Sequence, residues 1–234
     1  MSEDQRDIYN RSAEIFKRLR SEIDKVIVGQ NVAIEQLLVS ILAGGHALLE
    51  SNPGLAKTLL VKTTASCLGL DYSRIQCTPD LMPADITGTT IIEETEKGKA
   101  FRFEAGPVFS NIVLADEINR ASPKTQSALL EAMQEKQVTV GNKTYLLDRP
   151  FFILATQNPI EMEGTFPLPE AQLDRFLLKI LLDYPGREDE LEILERYTVR
   201  SEPEVEKVVS KEELIALQQL CRDIPVSGEI KSAV

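Results

Sequence analysis

Apolar residues follow two spacings along the chain, and together these predict helices that alternate with short buried strands. Residues 5–24 place Ile8, Ile15, Leu19 and Ile23 on one side of a helix. Helical spacing recurs at 31–43, 58–70, 122–136, 187–198 and 210–223. Runs typical of strands lie at 46–50, 73–79, 111–117 and 151–159, with a further short strand expected between 169 and 186. This alternation indicates a three-layer α/β fold, in which helices cover both faces of a parallel sheet.

Two stretches depart from this alternation and have the period-two pattern of β-hairpins. They span about residues 88–106 and about residues 135–147. The Pro-Gly pair at 185–186 then marks a boundary, after which the helices are acidic and amphipathic. We therefore predict a core domain at 1–185 that carries both hairpin insertions, followed by a small helical domain at 186–234.

The charge balance narrows the range of ligands. The chain has 234 residues, with 26 Lys or Arg against 37 Asp or Glu, so its formal net charge is −11. General charge attraction to nucleic acid is therefore disfavoured. No apolar run approaches the roughly 20 residues of a membrane span, and the polar start lacks the apolar stretch of a signal peptide. With three widely spaced cysteines, Cys67, Cys77 and Cys221, these features predict a cytoplasmic protein with reduced thiols.

A phosphate-binding loop is predicted between one strand and the helix that follows it. The residues SNPGLAKT at 51–58 have P-loop spacing, which directs backbone N–H groups and a helix N-terminus towards phosphate oxygens. Lys57 would contact the β- and γ-phosphates, and the Thr58 hydroxyl would ligate Mg²⁺. The strict pattern has glycine where this sequence has Ser51 and Ala56. A plain Pro-Gly turn that opens a helix is therefore the alternative.

Two carboxylates end the clearest of the predicted strands. Asp116 and Glu117 follow the apolar run 112–115, where packing gives little reason for them. Asp116 is predicted to hold Mg²⁺, mostly through water. Glu117 is predicted to polarise the water that attacks the γ-phosphate. The alternative is an ordinary strand end that meets solvent, but the preceding P-loop favours the functional interpretation.

Two further polar residues are candidates for the same site. Asn158, at the end of the strand at 151–159, could orient the attacking water, although a polar turn before proline has the same pattern. Arg175 could stabilise charge on the γ-phosphate held by a neighbouring subunit. Its alternative is an ion pair within the chain, and spacing does not separate the two. Because ligands bind at the carboxyl ends of parallel strands, the motif-bearing loops are expected to converge there.

Seven segments of the chain carry motif strings that are more specific than the P-loop spacing. They are VIVGQ, LLESNPGLAKT, DLMPADITG, FRFEAGPVF, LADEINRASPKTQSALLEAMQE, ILATQNPIEMEGTFPLPEAQLDRF and LDYPGREDE. From about residue 10 to the end, these strings resemble the MoxR family of AAA+ ATPases, most specifically in DEINRA and LPEAQLDRF. The resemblance implies a P-loop NTPase core of the AAA+ class, followed by an all-α lid.

The resemblance also implies a role for each candidate residue, with ATP and Mg²⁺ as cofactors. It assigns Lys57 and Thr58 to Walker A, Asp116 and Glu117 to Walker B, Asn158 to sensor 1 and Arg175 to the arginine finger supplied in trans. The implied catalytic residues are Glu117, Lys57, Asn158 and Arg175, and the metal ligands are Thr58 and Asp116. The implied nucleotide-binding residues are Gly29, Gln30, Asn52, Pro53, Gly54, Leu55, Ala56, Lys57, Thr58 and Leu59.

The sequence departs from the family pattern in two places. Ser51 stands where the family has glycine, which puts nucleotide affinity in question, whereas alanine at position 56 is usual. The family also has a complete helical lid with a sensor 2 arginine, and this sequence ends at Val234 inside that lid. We therefore expect a truncated lid that closes less tightly around nucleotide.

The resemblance further implies a ring, with a homo-hexamer expected, because an arginine finger completes the site of a neighbour. Family members are chaperone-like motors that act on protein clients in complex maturation or metal insertion, often beside a partner with a von Willebrand factor A domain. By analogy, the two hairpins are expected to face the pore or the substrate. Three alternatives stay open: a nucleotide-binding module without turnover, a magnesium-chelatase-like motor and a nucleic-acid-remodelling motor. The net charge of −11 disfavours the last of these.

Overall fold

The computed structural model describes residues 3–95, 98–159, 164–198 and 203–233. Its strands are β1 (His46–Ser51), β2 (Tyr72–Gln76), β3 (Gly88–Thr95), β4 (Gly98–Ala105), β5 (Ile112–Asp116), β6 (Gln137–Val140), β7 (Lys143–Leu146), β8 (Phe152–Gln157) and β9 (Phe176–Leu182). Its α-helices are α1 (Glu3–Asp24), α2 (Asn31–Leu42), α3 (Lys57–Leu68), α4 (Pro83–Thr87), α5 (Pro123–Glu135), α6 (Glu170–Leu173), α7 (Arg187–Tyr197), α8 (Lys211–Arg222) and α9 (Gly228–Ala233). Single 3₁₀ turns lie at Pro107–Phe109 and Ile118–Arg120.

A five-stranded sheet forms the middle layer, with its strands in the order β2-β5-β8-β1-β9. Every neighbouring pair in this sheet is parallel. Strands β5 and β8 lie inside the sheet and are buried along almost their whole length, which is why they read as continuous apolar runs. The α/β prediction is confirmed, and every strand of the sheet points its carboxyl end to the same edge.

Each face of the sheet has its own apolar core. On one face, α1, α2, α3 and α8 contribute Leu19, Leu37, Leu60 and Leu214 to a single buried cluster. On the other face, α4 and α5 contribute to a second cluster that includes Ile86, Leu129 and Leu130. Successive residues of β5 alternate between the two clusters, because side chains of a strand point to opposite faces.

The two predicted hairpins are present as separate two-stranded sheets. β3 pairs with β4 from Gly88↔Ala105 to Thr95↔Gly98, and β6 pairs with β7 over four residue pairs. Residues 96–97, between β3 and β4, lie outside the described residues. The ring of Phe103 on β4 stacks on Tyr145 of β7 with 4.0 Å between ring centroids. The hairpins therefore contact each other through an aromatic pair.

Of the helices after the predicted boundary at 185–186, α8 packs into the same core as the first helices, and α7 contacts the segment that follows α1. Leu214 of α8 is fully buried, and Gln218 Nε2 donates to the carbonyl of Ile41 at the end of α2, at 2.7 Å. Tyr197 of α7 donates to the carbonyl of Val26 at 2.8 Å. The division into two domains stays a prediction. Within the described ranges, none of the helices is both long enough and apolar enough to cross a membrane.

His46 is a buried polar residue at the start of β1. Its Nδ1 accepts the backbone N–H of Ile153 at 2.9 Å, so Nε2 carries the proton and donates to the carbonyl of Met133 at 3.1 Å. Burial lowers the pKa of His46 to about 4, because desolvation disfavours the charged imidazole. His46 is therefore a neutral residue that ties β1 to β8 and α5.

Candidate active site

Three loops that carry the sequence-predicted residues meet at the carboxyl edge of the sheet. β1 leads into the P-loop, β5 ends at Asp116, and Asn158 follows β8 directly. Since β8 lies between β5 and β1, the register places Ala115 beside Ala155 and Glu50 beside Gln157. The structure therefore brings the P-loop, the carboxylates and Asn158 together, as the parallel arrangement predicts.

The P-loop ends in a left-handed residue that starts α3. Ala56 has a φ of 53° and Gly54 a φ of 84°, and α3 begins at Lys57. No side chain caps this helix, so its first N–H groups remain available to an anion. Ser51 is buried, and its hydroxyl donates to the carbonyl of Asn52 at 3.1 Å. The serine is thus accommodated at the end of β1 with its hydroxyl on the backbone.

Asp116 is held by two neighbours on the adjacent strands. Thr156 of β8 donates its hydroxyl to Asp116 Oδ1 at 2.6 Å. Arg74 of β2 places Nη2 at 2.6 Å and Nε at 3.1 Å from Asp116 Oδ2. The Asp116 side chain is only 9% exposed. A buried carboxylate of this kind needs such donors, because desolvation penalises its charge.

Glu117 lies in a left-handed conformation, with a φ of 57°. Its backbone N–H donates to the Thr156 hydroxyl at 2.9 Å, so one hydroxyl contacts both members of the acidic pair. Its carboxylate accepts Gln76 Nε2 at 3.2 Å and Arg120 Nη1 at 3.3 Å. The Glu117 carboxylate therefore points along the sheet edge towards β2, and neutral and cationic donors hold it there.

The sequence analysis did not single out Arg74, Gln76 or Thr156. The available signal was weak, because a polar residue at every second position of a short strand is ordinary.

The two carboxylates also affect the pKa of Cys77, the residue that follows β2. Burial, and then the charges of Asp116 and Glu117, raise the pKa of the Cys77 thiol to about 12.

An apolar cleft of about 170 Å³ lies beside the P-loop. Its walls come from the segment before α2, from the P-loop and first turn of α3, and from α7. The lining includes Val28, Gln30, Leu55, Ala56, Leu59 and Ile193. The apolar lining of this cleft suits a planar base, whereas the N-terminus of α3 suits phosphates.

Some predicted nucleotide-binding residues line this cleft and others do not. Gln30 does so, and its Nε2 donates to the carbonyl of Asp183 at 2.6 Å. Gly29 lies outside the lining, and a Cβ added there would lie 2.8 Å from the Asp189 carboxylate of α7. Glycine at position 29 therefore permits the close approach of α7. Four other predicted nucleotide-binding residues also lie outside the lining. They are Asn52 and Pro53 in the P-loop, and Lys57 and Thr58 at the start of α3.

Arg175 lies outside this cleft. It follows α6 and borders a small surface cleft beside α5, together with Glu131, Glu135 and Gln172. The Arg175 side chain is exposed, and no carboxylate of the described residues lies within ion-pair distance of it. The alternative of an ion pair within the chain thus has no support in these parts of the chain.

Comparisons with known proteins agree with this geometry. Residues 46–178 match the family model described as "ATPase family associated with various cellular activities (AAA)". The chaperone MoxR1 of Mycobacterium tuberculosis is 51% identical over 205 residues, which cover 88% of this chain and 54% of that protein. This chain belongs to the MoxR family of AAA+ ATPases.

Two further proteins are similar to this chain over most of its length. The uncharacterized protein YeaC of Bacillus subtilis is 49% identical over 91% of this chain and 66% of its own length. The crystal structure of a candidate ATPase from Cytophaga hutchinsonii superposes with a TM-score of 0.86 at 47% identity, covering 99% of this chain and 71% of that one. This MoxR-family chain therefore spans about half the length of MoxR1 and about two thirds of the length of YeaC.

The donor set of the family site fits a magnesium ion. Mg²⁺ in phosphate-transfer sites is bound by one or two carboxylates together with substrate phosphates and waters. Asp116 offers a carboxylate, and Thr58 a hydroxyl in the first turn of α3. The Arg74 guanidinium beside Asp116 shows that a cation is already favoured at this carboxylate. The described residues contain no cluster of three or more His, Cys, Asp or Glu side chains that could hold a metal ion.

Proposed function

We propose that this chain is the ATP-hydrolysing module of a ring-forming motor that uses Mg²⁺. The observation that carries the proposal is the separation of Arg175 from the rest of the site. Arg175 is exposed and outside the cleft beside the P-loop, whereas the two carboxylates and Asn158 lie at the sheet edge. The arginines in contact with the two carboxylates, Arg74 and Arg120, are held by those carboxylates, so exposed Arg175 is the arginine that a second subunit would supply to the γ-phosphate.

The chemistry assigned to each residue follows from its position. Lys57 and the N–H groups that start α3 neutralise phosphate charge, and Thr58 and Asp116 are the residues that would hold Mg²⁺. The metal, when bound, supplies charge neutralisation on the β- and γ-phosphates. Glu117 takes a proton from the attacking water, and Asn158 orients that water. The site is otherwise assembled from preorganised donors, which is where most stabilisation of a phosphoryl-transfer transition state originates.

At the level of the whole protein, we propose a cytoplasmic homo-hexamer that acts as a chaperone-like motor on protein clients. Support comes from the relative that is named a chaperone, and from the apolar side chains on the two hairpins. Phe101 and Leu146 are 79% and 76% exposed there, which suits contact with an unfolded client segment. Complex maturation or metal insertion, beside a partner with a von Willebrand factor A domain, is the biological setting that we propose.

The test is ATP turnover with Mg²⁺ over a range of protein concentrations. Wild type is compared with Lys57→Ala and Arg175→Ala. The matched controls are Lys62→Ala, an exposed lysine one turn further along α3, and Arg18→Ala, an exposed arginine on α1. We expect turnover per subunit to rise with concentration, both site variants to lose activity, and both controls to keep it.

A mixing experiment separates a shared site from a site within one chain. A Lys57→Ala subunit keeps Arg175, and an Arg175→Ala subunit keeps Lys57, so a mixture of the two contains some complete interfaces. We expect the mixture to regain part of the wild-type activity. Nucleotide binding without any turnover, or turnover that ignores both concentration and Arg175→Ala, would contradict the ring proposal.

A further inference from the structure

A chain of side-chain contacts joins the two carboxylates of the site through strand β2. Arg74 contacts Asp116 with two nitrogens, and its Nη2 also donates to Gln76 Oε1. Gln76 in turn donates through Nε2 to Glu117 Oε2 at 3.2 Å. The carboxylate assigned to the metal and the carboxylate assigned to the water are therefore linked by two residues outside the motifs.

The register of the sheet explains this contact. Gln76 lies directly opposite Asp116, and Arg74 lies two residues earlier on β2, opposite Leu114. Residues two apart share one face of a strand, so Arg74 and Gln76 both reach the face on which Asp116 lies. Diagonal neighbours of this kind are within reach of a long side chain.

The positions of the two charges make their contact reversible. The Asp116 side chain is 9% exposed, so its oxygens need partners within the protein, whereas the Arg74 side chain is 44% exposed. Within the described residues, Arg74 is the cationic side chain in ion-pair contact with Asp116. The half-exposed guanidinium can turn out into solvent, so it can leave Asp116 once a metal ion takes its place as the partner.

We propose that Arg74 is a positioning residue, which acts as the internal counter-cation of Asp116 in the metal-free site and gives up this contact when Mg²⁺ is bound. The inference rests on the Mg²⁺ site proposed above.

The experiment measures melting temperature against Mg²⁺ concentration, with a non-hydrolysable ATP analogue present throughout. Wild type is compared with Arg74→Gln, which removes the charge, and with Arg74→Lys, which keeps the charge but not the two-nitrogen contact. Arg102→Gln is the matched control, because Arg102 also forms exposed ion pairs but lies on the first hairpin. No turnover is required for this readout.

We expect the Mg²⁺ concentration at half-maximal shift to fall about fivefold in Arg74→Gln and about twofold in Arg74→Lys, with Arg102→Gln unchanged. Without Mg²⁺, Arg74→Gln should melt below wild type, because buried Asp116 has lost its partner. With saturating Mg²⁺ and analogue this gap should close, because the metal replaces Arg74 as the partner. If Arg74→Gln does not fold, the Arg74→Lys comparison tests the same prediction.

Other outcomes overturn the proposal in distinguishable ways. Mg²⁺ affinity that is unchanged or weaker in Arg74→Gln would show that Arg74 does not compete with the metal. If Mg²⁺ binds more tightly to Arg74→Gln but with unchanged affinity to Arg74→Lys, the positive charge at position 74 would weaken Mg²⁺ binding by repulsion alone. The two-nitrogen contact with Asp116 would then not compete with the metal. A wild-type melting temperature that does not respond to Mg²⁺ at all would overturn the metal assignment itself, and this inference with it.

Discussion

The Thr156 hydroxyl lets the geometry of the acidic pair be tested by a single substitution, Thr156→Val. Valine has nearly the same shape, so the change removes one hydroxyl without opening a cavity. Two hydrogen bonds are lost: the one donated to Asp116 Oδ1 at 2.6 Å and the one accepted from the Glu117 N–H at 2.9 Å. Thr156 is fully buried, so water does not replace the hydroxyl.

The magnitude follows from the charge of the acceptor. A hydrogen bond to a charged group contributes about 1.5–3 kcal/mol, and a buried donor left without a partner costs about 1–3 kcal/mol. We therefore expect Thr156→Val to lower the free energy of unfolding by about 3 kcal/mol. For a chain of this size that corresponds to a fall in melting temperature of about 6–12 °C.

Thermal and urea unfolding of the nucleotide-free chain measure this loss against a matched variant, Thr64→Val. Thr64 is just as deeply buried, but its hydroxyl donates only to the carbonyl of Leu60, one turn earlier in α3, at 2.8 Å. Such a bond within a helix contributes little, so we expect a change of less than about 1 kcal/mol. Equal losses in the two variants would refute the reasoning, since they would show that the charge of Asp116 and the Glu117 N–H add nothing.

Three further predictions concern residues away from the site. Lys136, which follows the last residue of α5, has a φ of 53°, and this left-handed conformation costs a non-glycine residue about 1 kcal/mol. We therefore expect Lys136→Gly to raise the melting temperature by about 2–4 °C. A fall in melting temperature would contradict this expectation. The pKa of His46 is about 4 in the folded chain against 6.5 when unfolded. The contribution of neutral His46 to the free energy of unfolding is therefore fully present above pH 6.5 and decreases as the pH falls, by about 2 kcal/mol at pH 5. A free energy of unfolding in urea that does not change between pH 6.5 and pH 5 would count against this prediction. Burial raises the pKa of all three thiols, to about 12 for fully buried Cys67 and Cys77, so a thiol reagent at pH 8 should modify half-buried Cys221 first, and equal rates would oppose this expectation.

The elements that sequence patterns predicted well are those whose burial is regular. Strand β5 is buried on both faces and gives a continuous apolar run, whereas α5 is buried on one face and gives a helical period. The short helix α4 and the 3₁₀ turns were not predicted, because elements of five and three residues are too short to display a helical period. The start of α5 was predicted for a local reason: Ser122 caps it, and Pro123 occupies its first position.

In the candidate site, too, some residues could be predicted from local sequence patterns and others could not. The P-loop could be recognised because its chemistry depends on eight consecutive residues, and the pair Asp116-Glu117 because two carboxylates after an apolar strand are unusual. Arg74 and Gln76 could not, since their partners lie about forty residues further along the chain. Arg175 was ambiguous in sequence, and among the described residues the structure places no carboxylate within ion-pair distance of it.

The sequence by itself determined the α/β class, the phosphate-binding loop, the acidic pair and the family. These features are set by local backbone conformation, by hydrophobic period and by residue types at short spacing. Only the tertiary structure decided which residues surround the acidic pair: Arg74 and Gln76 from β2 on one side, and Thr156 from β8 on the other. The physical reason is that strand order and register bring these residues to the ends of β5, and both depend on how the whole sheet packs between its two cores.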